Sequence, residues 1–202
     1  ALYYKKGGER IGIRGPYGNY FSIPKNLRNA LIIGGGTGLV PLVRLFGDLL
    51  NYHVNTTLIM GSRTKSEVLF EHKAQKILTD NKHNGNIAFS TDDGTYGDKG
   101  STVDLAESIL LSKKFEMLYT CGPELMMKGV QKLGERFSIP VEASLERYMK
   151  CAIGICGSCC INDRLVCQDG TIFDSNRLSQ LTEFGVSYRD KSGRRSYFIP
   201  QP

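Results

Sequence analysis

The apolar run Ala30-Leu31-Ile32-Ile33 stops at Gly34-Gly35-Gly36-Thr37-Gly38, and Leu39, Val43, Phe46 and Leu50 follow at helical spacing. A strand, a glycine turn and an amphipathic helix in immediate succession open a βαβ unit. The alternation continues down the chain. Apolar runs at 57–60, 87–90, 115–119 and 141–145 read as strands, and segments near 38–50, 66–80, 102–112 and 123–137 read as helices. Strands joined by helices of this length need right-handed crossovers, so they lie parallel. Parallel strands are covered on both faces, which explains why the first shows no polar alternation. The expected fold is α/β, with a five-stranded parallel nucleotide-binding sheet.

The glycine turn suits a phosphate. A pyrophosphate must approach the backbone closely, and glycine leaves room for it. The next helix offers free N–H groups and the positive end of its dipole. Pro41 near that start costs little, because its missing N–H would be unpaired there. The spacing is not G-x-G-x-x-G, since Leu39 stands where a third glycine would fall. A tight turn between strand and helix, with no ligand, would use the same residues. The candidate binding residues are Gly34, Gly35, Gly36, Thr37 and Gly38.

Ligands of open α/β sheets sit at the carboxyl ends of the strands. The second strand ends in Gly61-Ser62-Arg63-Thr64-Lys65, where an adenosine ribose would lie. Arg63 and Lys65 are able to accept a 2′-phosphate, which leaves NADP open beside NAD. The third strand runs into Thr91-Asp92-Asp93-Gly94, which makes Asp93 a further candidate, and the fourth into Cys121-Gly122-Pro123. Cys121 is placed to touch the nicotinamide edge; its alternative is a buried thiol with no role.

Five of the six cysteines fall between Cys151 and Cys167. Cys151, Cys156, Cys159 and Cys167 form a C-x4-C-x2-C-x7-C pattern, and the first three match the plant-type [2Fe–2S] spacing. Gly154 and Gly157 let the loop fold tightly and aim N–H groups at sulfur. Zinc is the rival. It favours paired Cys knuckles with His as a common ligand, and His53, His72 and His83 are all remote in sequence. Cys160 is the spare thiol, because Cys159 already completes the spacing.

A nicotinamide exchanges hydride and a [2Fe–2S] cluster exchanges single electrons, so a flavin, FAD or FMN, is expected to bridge them. The opening 29 residues do not share the strand–helix alternation. Gly12 to Gly18 reads as a strand running into a tight turn, the end of an antiparallel unit continuing upstream. The flavin candidates are Arg14, Gly15, Pro16, Tyr17 and Gly18. The organisation expected is 1–29 as the remnant of a flavin-binding β-barrel, 30–146 as the nucleotide-binding α/β domain, and 147–202 as a small irregular Cys-rich [2Fe–2S] domain with a tail.

Composition narrows the remaining classes. With 26 Lys+Arg against 20 Asp+Glu the net charge is +6, but no aromatic-interleaved basic stretch accompanies it, so no nucleic-acid partner is expected. No apolar run approaches the ~18–20 residues of a membrane span. Six cysteines are too few for a disulfide scaffold, and no apolar signal core opens the chain. A cytoplasmic protein that does not enter a membrane is expected.

The motifs together resemble the ferredoxin–NADP reductase superfamily: Arg-Gly-Pro-Tyr-Gly at 14–18, Gly-Gly-Gly-Thr-Gly-x-x-Pro at 34–41, Gly-x-Arg at 61–63 and Cys-Gly-Pro at 121–123. Ser144-Leu145-Glu146-Arg147-Tyr148-Met149-Lys150-Cys151 and Val166-Cys167-Gln168-Asp169-Gly170-Thr171-Ile172-Phe173 are similar to the electron-transfer subunits of dihydroorotate dehydrogenase. Glu183-Phe184-Gly185 and the tail from Tyr188 to Arg195 are similar to archaeal members. The resemblance implies an oxidoreductase subunit that takes electrons from dihydroorotate, via FMN on a partner catalytic subunit, through the cluster and FAD to NAD⁺, in pyrimidine biosynthesis. It implies Cys151, Cys156, Cys159 and Cys167 as cluster ligands, Gly34 to Gly38 on the pyrophosphate and Cys121 beside the nicotinamide. The x7 gap before Cys167 equally resembles the flavoprotein subunits of sulfhydrogenase and anaerobic sulfite reductase.

Overall fold

The computed structural model describes residues 2–13, 15–81 and 85–198. In chain order the nucleotide-binding part contains β1 (Asn29–Gly35), α1 (Leu39–Asn51), β2 (Asn55–Ser62), α2 (Glu71–Asp80), β3 (Gly85–Thr91), β4 (Asp98–Lys99), α3 (Thr102–Ser112), β5 (Met117–Cys121), α4 (Glu124–Phe137) and β6 (Val141–Ser144). After it come β7 (Cys160–Ile161), β8 (Arg164–Leu165), α5 (Val166–Asp169), β9 (Ile172–Asp174), α6 (Ser175–Gln180), β10 (Ser187–Arg189) and β11 (Arg195–Tyr197).

All five expected strands form, inside a sheet of seven ordered β4-β3-β2-β1-β5-β6-β9. Six run parallel, and β9 closes the edge antiparallel to β6. The chain leaves β1 on one side for β2 and β3 and returns on the other for β5 and β6. That reversal opens a crevice at the carboxyl ends of β1 and β5. Gly34 and Cys121 are direct neighbours across it.

Two apolar layers sandwich the sheet. Ala30 and Ile32 of β1 face Leu42, Phe46 and Leu49 of α1, whereas Leu31 and Ile33 face Ala106 and Leu110 of α3 and Val130 of α4. Each such buried aliphatic chain contributes about 1.5–3 kcal/mol. The second layer does not stop at the cysteines: Cys159, Ile161, Val166, Cys167, Phe173 and Phe184 belong to it. α3 begins on a cap in which Ser101 Oγ accepts from the Asp104 N–H at 3.1 Å. α2 starts later than its periodicity predicts, because Phe70 turns left-handed (φ 63°) just before Glu71. Among the described residues no helix is long and apolar enough to cross a membrane.

The expected strand at Gly12 to Gly18 does not form among the described residues. A strand needs a neighbour for its backbone groups; among the described residues no strand pairs with this segment, and Ile11 and Ile13 are exposed. Asn19 ties this stretch to the edge strand β9. Its amide side chain accepts from the Ile172 N–H at 2.8 Å and donates to the Ile172 carbonyl at 2.8 Å. Ser22 then donates to Glu142 through N at 2.9 Å and Oγ at 2.5 Å. Burial raises the Glu142 pKa against these two hydrogen bonds. A raised carboxyl pKa means that ionisation costs more in the folded state, so this contribution to stability falls as pH rises through the carboxylate range. Glu142→Gln is expected to remove that slope. Thermal denaturation between about pH 5 and about pH 7 measures it; the variant should gain on the wild type toward the upper end.

Candidate functional site

The cradle is built by two loops meeting backbone to backbone. After β1, Gly36–Gly38 makes a single 3-10 turn that leads straight into α1. A Cβ on Gly38 would collide with the Cys121 carbonyl and stand 2.5 Å from Gly122 Cα. Gly36 is the opposite case: its φ is +55°, and a Cβ there would meet nothing within 4 Å. One glycine therefore seats the turn on its neighbour, and the other lines open space above the helix start. That open space beside free N–H groups is the feature a pyrophosphate fits.

The crevice continues into a cavity of about 750 Å³ lined by Gly35 to Gly38, Cys121, Gly122, Pro123, Arg147, Tyr188 and Phe198, among others. Cys121 is half-buried, and burial pushes its thiol pKa up, with Ser144 partly opposing. A thiol held neutral is a poor nucleophile.

Arg63 and Asp93 lie together but outside this cavity, at the ends of β2 and β3, where the Asp93 N–H donates to the Arg63 carbonyl at 3.2 Å. Arg63 spends its guanidinium on Glu67, donating from Nε and Nη2 at 2.8 Å each. Asp93 accepts from the Thr95 N–H at 2.9 Å and Oγ at 2.7 Å. A 2′-phosphate would share Arg63 with Glu67, which occupies its Nε and Nη2. Arg14 lies outside the described residues. Gly15, Pro16, Tyr17 and Gly18 are exposed and do not line the cavity. Gly18 instead packs against Gly170, just after Cys167.

The four expected ligand cysteines form two pairs. Cys151 and Cys156 interact through their thiols, and Cys151 Sγ accepts from the Ile153 N–H at 3.5 Å and the Cys156 N–H at 3.4 Å. Hydrogen bonds from Ser158 and Cys151 pull the exposed Cys156 down to about 6, so the thiolate prevails at neutral pH. Cys159 and Cys167, both buried, form the second pair. Among the described residues no three His, Cys, Asp or Glu side chains converge to hold one metal ion. Structural zinc needs four ligands on one centre, whereas a [2Fe–2S] cluster takes two thiolates at each iron. The two-plus-two donor set fits the diiron cluster. Cys160 stands apart: its Sγ accepts from Arg189 Nε at 3.3 Å.

The sequence offered no functional reading of the buried Glu124 beside the cavity, and of the tail only its likeness to archaeal members. The one available hint was a Glu directly after Cys121-Gly122-Pro123, at a helix start where an acidic residue is ordinary.

Fold and site together define an oxidoreductase: a nucleotide-binding α/β sheet whose crevice adjoins an iron–sulfur segment. Comparison with known proteins agrees. Residues 32–132 match the oxidoreductase NAD-binding domain, and residues 146–179 match the iron–sulfur cluster binding domain of dihydroorotate dehydrogenase B. A protein of Methanocella arvoryzae named a probable dihydroorotate dehydrogenase B (NAD(+)) electron transfer subunit is 44% identical, over 96% of this chain and 73% of its own length. The protein of the same name from Methanocaldococcus jannaschii is 40% identical over 96% of this chain and 72% of its own. Among solved structures, an NADH-dependent reduced ferredoxin–NADP oxidoreductase aligns with a TM-score of 0.74 at 27% identity, over 91% of this chain and 66% of that one. The chain belongs to the family of dihydroorotate dehydrogenase B electron-transfer subunits.

Proposed function

We propose that this chain links the oxidation of dihydroorotate, at FMN on a partner catalytic subunit, to the reduction of NAD⁺ in the cytoplasm. Its own carriers are a [2Fe–2S] cluster and FAD. The observation that carries the reading is the pairing of thiols, Cys151 with Cys156 and Cys159 with Cys167, in one chain with a glycine cradle at the sheet reversal.

When bound, the flavin trades electron pairs for single electrons and the cluster carries them singly. The N–H groups at Gly36 to Gly38 and the α1 dipole hold the dinucleotide pyrophosphate. Cys121, kept as a thiol, flanks the nicotinamide, with Gly122 and Pro123 setting the loop it stands on. Cys151, Cys156, Cys159 and Cys167 hold the irons. The 14–18 loop takes one side of the flavin. Arg63, held by Glu67, leaves the adenosine end suited to NAD. The three units are residues 1–29, 30–146 and 147–202.

The test is the complex itself. Purified with its catalytic partner, the chain is expected to couple dihydroorotate addition to NADH formation, followed by absorbance under anaerobic conditions. A complex that oxidises dihydroorotate only with artificial acceptors, and never reduces NAD⁺, would falsify the assignment.

A further inference from the structure

Two charges are buried together where the nucleotide cradle meets the cysteine-rich stretch. The side chains of Arg147 and Glu124 are only 3% and 7% exposed. The guanidinium grips the carboxylate with both arms, Nη1 to Oε2 and Nη2 to Oε1, the latter at 2.9 Å. Glu124 opens α4 immediately after Cys121-Gly122-Pro123. Arg147 stands between β6 and Cys151.

The remaining hydrogen bonds of the pair point at the tail. Glu124 Oε1 accepts from the Gly185 N–H at 2.8 Å, and Arg147 Nη2 reaches the Ser187 carbonyl at 3.5 Å. Arg147 Nη1 also donates to the Glu146 carbonyl at 2.8 Å. Ser187 begins β10, and β10 pairs with β11 from Ser187–Tyr197 to Arg189–Arg195. This hairpin brings Tyr188 and Phe198, their ring centroids 4.9 Å apart, to the cavity that Gly35 to Gly38 also line. Its other ties, Arg195 to Glu183 and Arg189 to Cys160, lie nearer solvent.

Packing alone does not call for such a pair. Two buried charges seldom outperform apolar side chains of similar volume, but they do fix geometry where their hydrogen bonds are directional. Here those bonds end on backbone groups of the tail and on the Glu146 carbonyl, and Glu124 itself stands where α4 follows the Cys121 loop.

We propose that the Glu124–Arg147 pair is a latch that holds the β10–β11 hairpin as the outer wall of the dinucleotide cavity. Glu124 and Arg147 are positioning residues, and Tyr188 is the side chain that contacts the nicotinamide half of the ligand. The proposal rests on the reading of this cavity as the NAD site.

Three variants of the cofactor-loaded complex test it: Arg147→Met, Glu124→Gln and Tyr188→Ala. NAD⁺ binding to the oxidised complex is measured by calorimetry, and amide exchange by mass spectrometry. Arg147→Met and Glu124→Gln are expected to speed exchange across residues 185–198, with iron content and visible spectrum unchanged. All three should weaken NAD⁺ binding, by about tenfold for Tyr188→Ala, the size of one lost aromatic contact. Tyr188→Ala should do so while the Gly185 amide stays protected. A latch variant that frees the tail yet binds NAD⁺ like the wild type overturns the proposal. So does Tyr188→Ala with unchanged affinity, and that variant decides the matter should Arg147→Met fail to fold. A wild-type complex that does not bind NAD⁺ overturns the functional reading itself.

Discussion

Replacing Cys156 by Ser is expected to strip the iron from this chain and silence NAD⁺ reduction by its complex, while replacing Cys160 by Ser is expected to leave the iron in place. The two thiols are four residues apart in sequence, and both are solvent-accessible in part, so exposure does not separate them. Their partners do. Cys156 interacts with Cys151, completing one pair of the two-plus-two donor set, and its thiolate prevails at neutral pH. Cys160 sits in β7 and meets Arg189 instead of another thiol. Removing a ligand should cost activity beyond the roughly 10–100-fold that loss of an outer-shell partner costs. Iron analysis and the visible spectrum read the first effect, and NADH formation reads the second. Cys156 is the informative choice because it packs against little, so the variant still folds apart from the binding energy its metal supplies. Cys159 and Cys167 are buried beside Ile161, Val166 and Phe173, and serine there adds a packing penalty to the loss of iron. Retention of iron by Cys156→Ser together with loss in Cys160→Ser would reassign the ligand set.

The sheet and its helices were legible because their signals are local. Ile32 and Ile33 sit in a strand with both faces covered, and Leu39, Val43, Phe46 and Leu50 repeat along one helix face; both patterns follow from backbone geometry alone. The glycine turn and the cysteine spacing were legible for the same reason. Long-range features were not. β9 has three residues and exists because β6 offers an edge for it. Glu124 drew no reading and Arg147 entered only as part of the 144–151 motif, since their burial depends on how α4, the stretch before Cys151 and the tail come together. The expected strand at Gly12 to Gly18 failed in the other direction: its sequence suits a strand, but among the described residues no strand pairs with it.

Gly36 and Gly38 should part company when each is given a side chain. Gly38→Ala places a methyl group against the Cys121 carbonyl and Gly122 Cα. Both obstacles are backbone of a loop anchored by β5 and α4, so neither can swing aside as a side chain would. The β1 turn must lift away from β5, and the variant is expected to lose thermal stability as an overpacked core does, about 1–3 kcal/mol, with NAD⁺ affinity falling as a consequence. Gly36→Val has room for its side chain. Its cost is the left-handed φ of +55°, about 1–2 kcal/mol for a residue with a Cβ, and more for a β-branched one. Room in the free protein is the point, because the side chain would fill the space proposed for the pyrophosphate. Gly36→Ala separates the two effects. It carries the same φ strain with a smaller body, so its melting temperature should approach that of Gly36→Val more closely than its NAD⁺ affinity does. Calorimetric titration with NAD⁺ and thermal denaturation of the three variants read both quantities. If Gly36→Val binds NAD⁺ as well as Gly36→Ala, the pyrophosphate does not lie over Gly36 and the glycines serve the turn alone.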